Sequence, residues 1–414
     1  ELSGIIAFIQ DNFKRSKDWR RFDEERWLQS YRNYRGIYSP DVQFTESERS
    51  RVFIKVTKTK VLAAYGQITD VLFARQKFPL SIEPTTLPEG VTESVHFDPN
   101  EKTNEASEEQ APTSPYGFPG DGEDLEPGDT AESLSERKLK LGPLEDKLSD
   151  IEGLKEGEGL TPSAVTFHPA TVAAKKMEKK IMDQLEESGA SKHLRAASFE
   201  CSLFGTGIIK GPFAVNKEYA NWEEDGEYNP TIKTVPKVSS VSCWDLYPDP
   251  DASNMDEVTY VIERHKLSKS KLRALKDRPH FREEAIDKCI EMGEVYSSEY
   301  WEDDLKDYYL NDHPERYEVL EYWGTMDTDM AEEFGLDLPK AFKNVDQIQV
   351  NCWVCNNFIL RLVVNPFKPA RIPYYAVPYE LNPYSFFGIG LAENMDDTQT
   401  LMNGFMRMAV DNAV

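Results

Sequence analysis

Ile348-Gln-Val350-Asn-Cys352-Trp-Val354-Cys-Asn356-Asn357-Phe358-Ile-Leu360-Arg-Leu362-Val-Val364 decides the fold class. On either side of Asn356-Asn357 an apolar residue takes every second place, the period of a strand with one face on a core. Asn tolerates positive φ, so the pair suits the tight turn of a hairpin. Upstream, residues 231–235, 238–244, 260–264 and 317–323 share the strand period, with a short helix from Ser268 and another over 281–292. The N-terminal part has helical spacing instead. Ile5, Ile6, Ile9 and Phe13 begin a stripe that Phe22, Trp27, Tyr31 and Tyr34 continue, with Gly36 as its stop. Val61, Tyr65, Ile68 and Leu72 mark a second helix. Met177, Ile181 and Leu185 mark a third, ended by Gly189, and Leu194, Ala197, Cys201 and Phe204 a fourth, ended by Gly205. Runs of helix beside runs of strand predict an α+β fold rather than a β-α-β alternation.

The 414 residues allow two or three domains at roughly 150 residues each. Lys and Arg number 48 against 73 Asp and Glu, a formal net charge of −25. That balance argues against a binder that grips phosphates without regard to sequence. No apolar run approaches the roughly 20 residues of a membrane span, so no membrane partner is expected, and no leader pattern opens the chain. Five cysteines are too few for a disulfide scaffold and suit a reducing compartment. The acid is concentrated: residues 81–160 hold 21 Asp and Glu against 6 Lys and Arg, with seven prolines between Pro84 and Pro127. Such composition cannot offset ordering entropy, so about 85–130 is expected to be flexible, within an acidic insertion over 81–165 that is partly disordered. Leu134, Leu141, Leu144, Leu148 and Ile151 could form one amphipathic helix there.

Candidate chemistry is thin. Cys352-Trp-Val-Cys355 lacks a second ligand pair for zinc, and its cysteines point to opposite faces of a strand, so we read two packed thiols. Gly205-Thr-Gly207-Ile-Ile-Lys-Gly211 follows a helix and precedes a strand, the reverse of a phosphate loop. Asp249-Pro-Asp251-Ala-Ser253 spaces oxygens as a calcium loop would, but Asn254 and Tyr260 stand where that loop needs Gly and Glu; a proline-stiffened turn is the simpler reading. The six histidines are scattered and no nucleophile motif is present, so no catalytic residue, cofactor or metal ligand is assigned. Lys14, Arg15, Lys17, Arg20 and Arg21, interleaved with Phe13, Trp19 and Phe22, form a basic helix face, the expected dock for the acidic insertion.

The C-terminal stretch carries most. Residues 373–384 are extended, and 386–391 lead into a helix whose apolar positions are Leu391, Met395, Thr398, Met402, Phe405, Ala409 and Ala413. Glu393, Asp396, Asp397, Gln399, Asn403, Arg407 and Asp411 lie on the other side. So narrow a stripe suits packing on another long helix. The pattern still runs at Val414, so a longer chain is expected.

Ile372-Pro-Tyr-Tyr-Ala-Val-Pro-Tyr379, Phe387-Gly-Ile-Gly-Leu-Ala-Glu-Asn-Met395 and Gln399-Thr-Leu-Met-Asn-Gly-Phe-Met-Arg407 together resemble the segment entering the stem of portal proteins from tailed bacteriophages, most like the large portals of short-tailed phages. Arg51-Val-Phe-Ile-Lys-Val-Thr-Lys58, Ile68-Thr-Asp-Val-Leu-Phe73, Phe204-Gly-Thr-Gly-Ile-Ile-Lys-Gly-Pro212 and Cys243-Trp-Asp-Leu-Tyr-Pro-Asp-Pro250 agree, over about 1–80 and 165–414. The resemblance implies a ring of twelve subunits at one capsid vertex, through which double-stranded DNA passes without sequence-specific binding. Its partners would be the major capsid protein, terminase and tail adaptors. It implies a wing of helices and antiparallel strands, divided as 1–80, the insertion 81–165 and 166–385, then the start of the first stem helix over 386–414. Leu391, Met395, Met402, Phe405 and Ala409 would pack between subunits. Glu393, Asp396, Asp397, Asn403 and Arg407 would face the channel or a neighbouring subunit. The competing expectation is an acidic polysaccharide hydrolase with a carboxylate pair and aromatic platforms.

Overall fold

The computed structural model describes residues 3–44, 49–73, 78, 80–84, 95–97, 165–167, 169–222, 228–293, 296, 298–302, 316–334, 336 and 345–413. The chain divides into two compact units, Ile82–Met177 and the remainder, Glu1–Ser81 with Glu178–Val414.

In the larger unit, α1 (Ser3–Arg35) is one unbroken helix. Gly36 ends it at φ +79°, and the amides of Gly36 and Ile37 both bond to the Arg32 carbonyl. Only a residue without Cβ enters this left-handed conformation freely. α2 (Val56–Phe73) follows, and later α3 (Pro169–Glu187) and α4 (Ala190–Phe204). The smaller unit contains β1 (Val95–Phe97) paired antiparallel with β2 (Val165–Phe167). A strand at 95–97 departs from the flexible stretch expected over 85–130; three alternating residues, Val95-His-Phe97, suffice to pair once a partner strand exists. The expected Leu134–Ile151 helix lies outside the described residues.

Two antiparallel sheets build the rest. β3 (Thr206–Tyr219), β4 (Thr231–Val241) and β10 (Tyr374–Pro378) form a three-stranded sheet in the order β10-β3-β4. β4 runs through Pro236, where the sequence suggests a break. It is an edge strand, so the missing amide removes no ladder bond from a sheet interior. The expected strand over 238–244 stops at Val241, and Cys243–Asp245 turns as a 3-10 helix. The larger sheet has the order β5-β6-β7-β8-β9, from β5 (Leu246–Pro248), β6 (Tyr260–Leu267), β7 (Tyr317–Asp327), β8 (Gln347–Cys355) and β9 (Phe358–Val364). Between them lie α5 (Lys269–Arg273), capped by Ser268, α6 (Glu283–Met292) and α7 (Thr328–Glu333).

The β8–β9 turn is as expected, with Asn356 at φ +52°. The strict alternation of β9 is not. Val354 pairs with Ile359 but Trp353 pairs with Arg361, so Leu360 is the extra residue of a bulge. Ile359 and Leu362 therefore face one side with Ile348, Val350, Cys352 and Val354, and the start of α1 (Ile5, Ile6, Ile9) covers them. Leu360 turns to the other face, with Trp353, Cys355 and the buried side of α6. A third core joins Trp27 and Leu28 of α1 to Val61, Leu203, Phe204, Ile208, Trp244, Trp323, Phe387 and Ala392.

Candidate functional site

Two of the motifs singled out in the sequence touch through backbone. Gly205 closes α4 at φ +96°, its amide bonded to the Cys201 carbonyl. A Cβ there would lie 2.4 Å from the Gly388 oxygen, and one on Gly390 would lie 2.6 Å from the Leu203 oxygen. The Gly388 amide donates to Thr206 Oγ1 at 2.9 Å, and the Tyr379 amide to the Gly205 carbonyl at 2.8 Å. Phe204-Gly-Thr-Gly207 and Phe387-Gly-Ile-Gly390 thus form a glycine joint. It fixes where the C-terminal helices leave the core. No phosphate cradle results, because β3 rather than a helix begins after Gly205.

From that joint run α8 (Leu391–Asn394) and α9 (Asp396–Ala413), parted at Met395 where one continuous helix was expected. Their inward side is polar. Glu393 takes Arg26 Nη1 on both carboxylate oxygens, at 2.9 and 3.1 Å. Asp396 accepts from Asn33 Nδ2 at 2.6 Å and Gln29 Nε2 at 3.2 Å. Gln399 accepts from the Thr57 amide and hydroxyl at 3.0 and 2.9 Å, and donates to the Ile54 carbonyl. Asn403 accepts from the Ile54 amide at 3.0 Å, and Asp411 from the Ser50 amide at 2.8 Å. The Arg407 guanidinium lies 5.4 Å from the Tyr38 ring centroid and 5.2 Å from that of Phe44. Expected to face the channel or a neighbouring subunit, Glu393 and Asp396 bond here to α1, Asn403 to Ile54, and Arg407 lies against the Tyr38 and Phe44 rings. The physical reason is that unpaired amides ahead of α2 need acceptors, and Gln399, Asn403 and Asp411 supply them. Asp397 is exposed.

The outward side is apolar. Leu401, Met402, Phe405, Met406 and Met408 are exposed, Phe405 at 63%. Of the expected stripe, Met402, Phe405 and Ala409 are exposed, whereas Leu391 and Met395 are half-buried against the chain. Leu401, Met406 and Met408 widen the stripe beyond the sequence expectation. α9 is an amphipathic helix seated the wrong way round for a lone globular domain, polar side in and apolar side out.

The basic face of α1 is engaged in part within the chain, and the helix expected to dock on it lies outside the described residues. Arg20 is fully buried: it donates to the Cys243, Trp244 and Leu246 carbonyls of the 3-10 turn and to Glu24, and lies 3.7 Å from the Tyr247 ring centroid. Arg15 pairs with Asp251 at 2.5 Å and Lys17 with Glu299 at 2.5 Å. Arg21 faces Glu25 at 3.9 Å, and Lys14 is exposed. A helix stripe of alternating sign reads as a surface from sequence, but its inner edge here caps carbonyls in the core.

A buried ionic cluster escaped the sequence reading. Lys210 Nζ lies 2.6 Å from Glu263 Oε2 and 2.5 Å from Glu321 Oε2. His265 Nε2 is 2.7 Å from the same Glu321 oxygen, and the Tyr374 hydroxyl donates to Glu263 at 2.6 Å. Burial alone would raise Glu321, but Lys210 and His265 hold it well below the usual carboxylate range. Burial would likewise lower Lys210, and the two carboxylates reverse that and raise it. Glu263, His265 and Glu321 could offer three ligands to a metal. Yet the Lys210 ammonium bonds an oxygen of each carboxylate, so a fixed cation already fills the centre. The cluster ties β3 and β10 of the small sheet to β6 and β7 of the large one.

Asp249 and Asp251 form a turn: Asp249 accepts from the Asp251 amide and from Thr259. Cys352 and Cys355 are both buried, in separate cores on opposite faces of the sheet. Trp27, Trp244, Trp301, Trp323 and Trp353 are core residues, whereas Trp222 is exposed, its ring centroid 5.1 Å from that of the exposed Tyr228. No helix among the described residues is long and apolar enough to cross a membrane.

No curated protein matches the chain. A family model described as Phage SU10 portal protein matches residues 168–414, which hold the glycine joint, the ionic cluster, both sheets and the C-terminal helices. More than half of the chain is covered, and the chain belongs to that portal protein family.

Proposed function

We propose that this chain is the wing and the beginning of the first stem helix of a portal subunit, twelve of which close a ring at one capsid vertex. The ring is the conduit through which double-stranded genome DNA is packaged and ejected. It offers a platform to terminase and to tail adaptors, is held in the virion by the major capsid protein, and assembles in the host cytoplasm. Residues 1–80 and 166–385 are the wing, 81–165 an insertion in it, and 386–414 the entry to the stem. The subunit has no catalytic role.

The observation that carries this reading is the orientation of α9. Its polar face is satisfied by its own chain while Leu401, Met402, Phe405, Met406 and Met408 remain in water. A monomer gains nothing from that arrangement, whereas a ring buries the stripe of each subunit on its neighbours. The net charge of −25 per copy suits a conduit, since a negative wall lets DNA slide without gripping it. Native mass measurement on the full-length protein tests the reading. A closed oligomer is expected; a species that remains monomeric at all concentrations overturns it.

A further inference from the structure

Cys289 and Cys355 have no part in the portal reading, and their surroundings are built as a pair site. Cys289 stands one turn after Ile286 on the buried side of α6; Cys355 ends β8 on the face it shares with Trp353. Leu272, Leu275, Tyr317, Val319 and Leu360 enclose both. The two Sγ atoms are 2.8 Å apart, inside the van der Waals separation of two sulfurs, and both residues are thiols. The remaining cysteines cannot reach them. Cys352 points to the opposite face of β8, Cys243 belongs to another core, and Cys201 bonds to the Val377 carbonyl. The pair lies directly beneath the β8–β9 turn, where Asn356 is half-exposed and its Nδ2 is 3.8 Å from Cys289 Sγ.

From this geometry we infer that Cys289 and Cys355 are a redox-modification site, which a small peroxide converts to an intrachain disulfide pinning α6 to the end of β8. Cys289 attacks one peroxide oxygen; the O–O bond breaks, the other oxygen leaves as water, and Cys289 becomes a sulfenic acid. Cys355 then attacks that sulfur, the S–O bond breaks and a second water leaves. Each sulfur gives up one electron, the peroxide gains two, and both thiol protons end in water. The order follows from the microenvironment. Contact with Cys355 lowers the Cys289 pKa against the effect of burial, whereas the same contact and burial together raise that of Cys355. A reducing compartment keeps the pair open, and release from it leaves the pair free to close.

The test treats the full chain with hydrogen peroxide while folded, then denatures it, alkylates it and measures intact mass and non-reduced peptides. Wild type should lose two of its five free thiols and two hydrogens of mass, and show one Cys289–Cys355 cross-linked peptide that dithiothreitol releases. Cys352→Ser should form the same cross-link, whereas Cys289→Ser and Cys355→Ser should form none. The wild-type peptide map stands alone if a variant fails to fold. Five alkylated thiols after exposure, a cross-link through Cys201, Cys243 or Cys352, or one between chains would each overturn the assignment.

Discussion

Lys210 is the residue on which the two sheets depend. Its ammonium bonds Glu263 and Glu321 at once, one positive charge shared between two buried carboxylates. Lys210→Met should cost about 3–5 kcal/mol, because it takes the ammonium from two buried carboxylates and leaves them only their bonds to His265 and Tyr374. Adding Glu263→Gln and Glu321→Gln to it should restore part of that loss, and denaturant unfolding of the three variants measures both effects. Glu200 behaves oppositely. Burial pushes its carboxyl up to about 7, despite the Cys243 amide bonded to it. A folded pKa above the unfolded one favours the fold below the unfolded value, near 4.5, and that contribution disappears as pH rises through about 7. Wild type should therefore lose up to about 3 kcal/mol between those limits from this group, and Glu200→Gln should flatten the profile there; an unchanged thermal-unfolding profile would refute the assignment. At this scale the sequence is legible wherever backbone conformation selects a residue. Gly36, Gly205 and Asn356 announce their positive φ by identity alone. Lys210, Glu263, His265, Glu321 and Tyr374 do not announce themselves. They are spread over more than 160 positions of a chain crowded with carboxylates, and only strand pairing brings them together.

At the scale of elements, α9 shows what periodicity can and cannot reveal. The apolar spacing identifies an amphipathic helix, but not which side is inward. Its buried residues are Gln399 and Asn403, which carry no hydropathic sign of burial. Met402→Asp should therefore leave the wing folded, since the side chain is already in water, yet prevent ring closure by placing a charge in the subunit contact. Far-UV circular dichroism should match wild type while native mass gives a monomer. Rings that close normally with Asp at 402 would sink the stem placement. β9 gives the complementary case: Leu360 reads as one more member of the Leu362 face, and only the bulge between Trp353 and Val354 moves it to the other. A bulge leaves the composition of a strand unchanged, so hydropathy does not register it.

At the scale of the molecule, the chain leaves β1 at Phe97 and re-enters β2 at Val165, and these two residues are paired partners. The stretch between them can thus be exchanged for a short hairpin turn without moving either strand. Ring formation, followed by native mass, should survive that exchange. Loss of oligomers would assign the excised acidic segment a part in assembly. The general character of the fold, helices first and antiparallel strands after, follows from the order of the hydrophobic periods. The division of its core into three does not, because Trp27, Phe204, Trp244, Trp323 and Phe387 come from five separate stretches of chain. The glycine joint sets the order of events during synthesis. Leu203 and Phe204 are translated long before Gly388 and Gly390, against which they close, and β3 waits as long for β10. A nascent chain therefore carries these apolar surfaces uncovered from the synthesis of Phe204 until that of Gly390, the state in which a folding chain is most exposed to proteases. Closure of this core comes only as α8 and α9, which carry the exposed apolar stripe, are made.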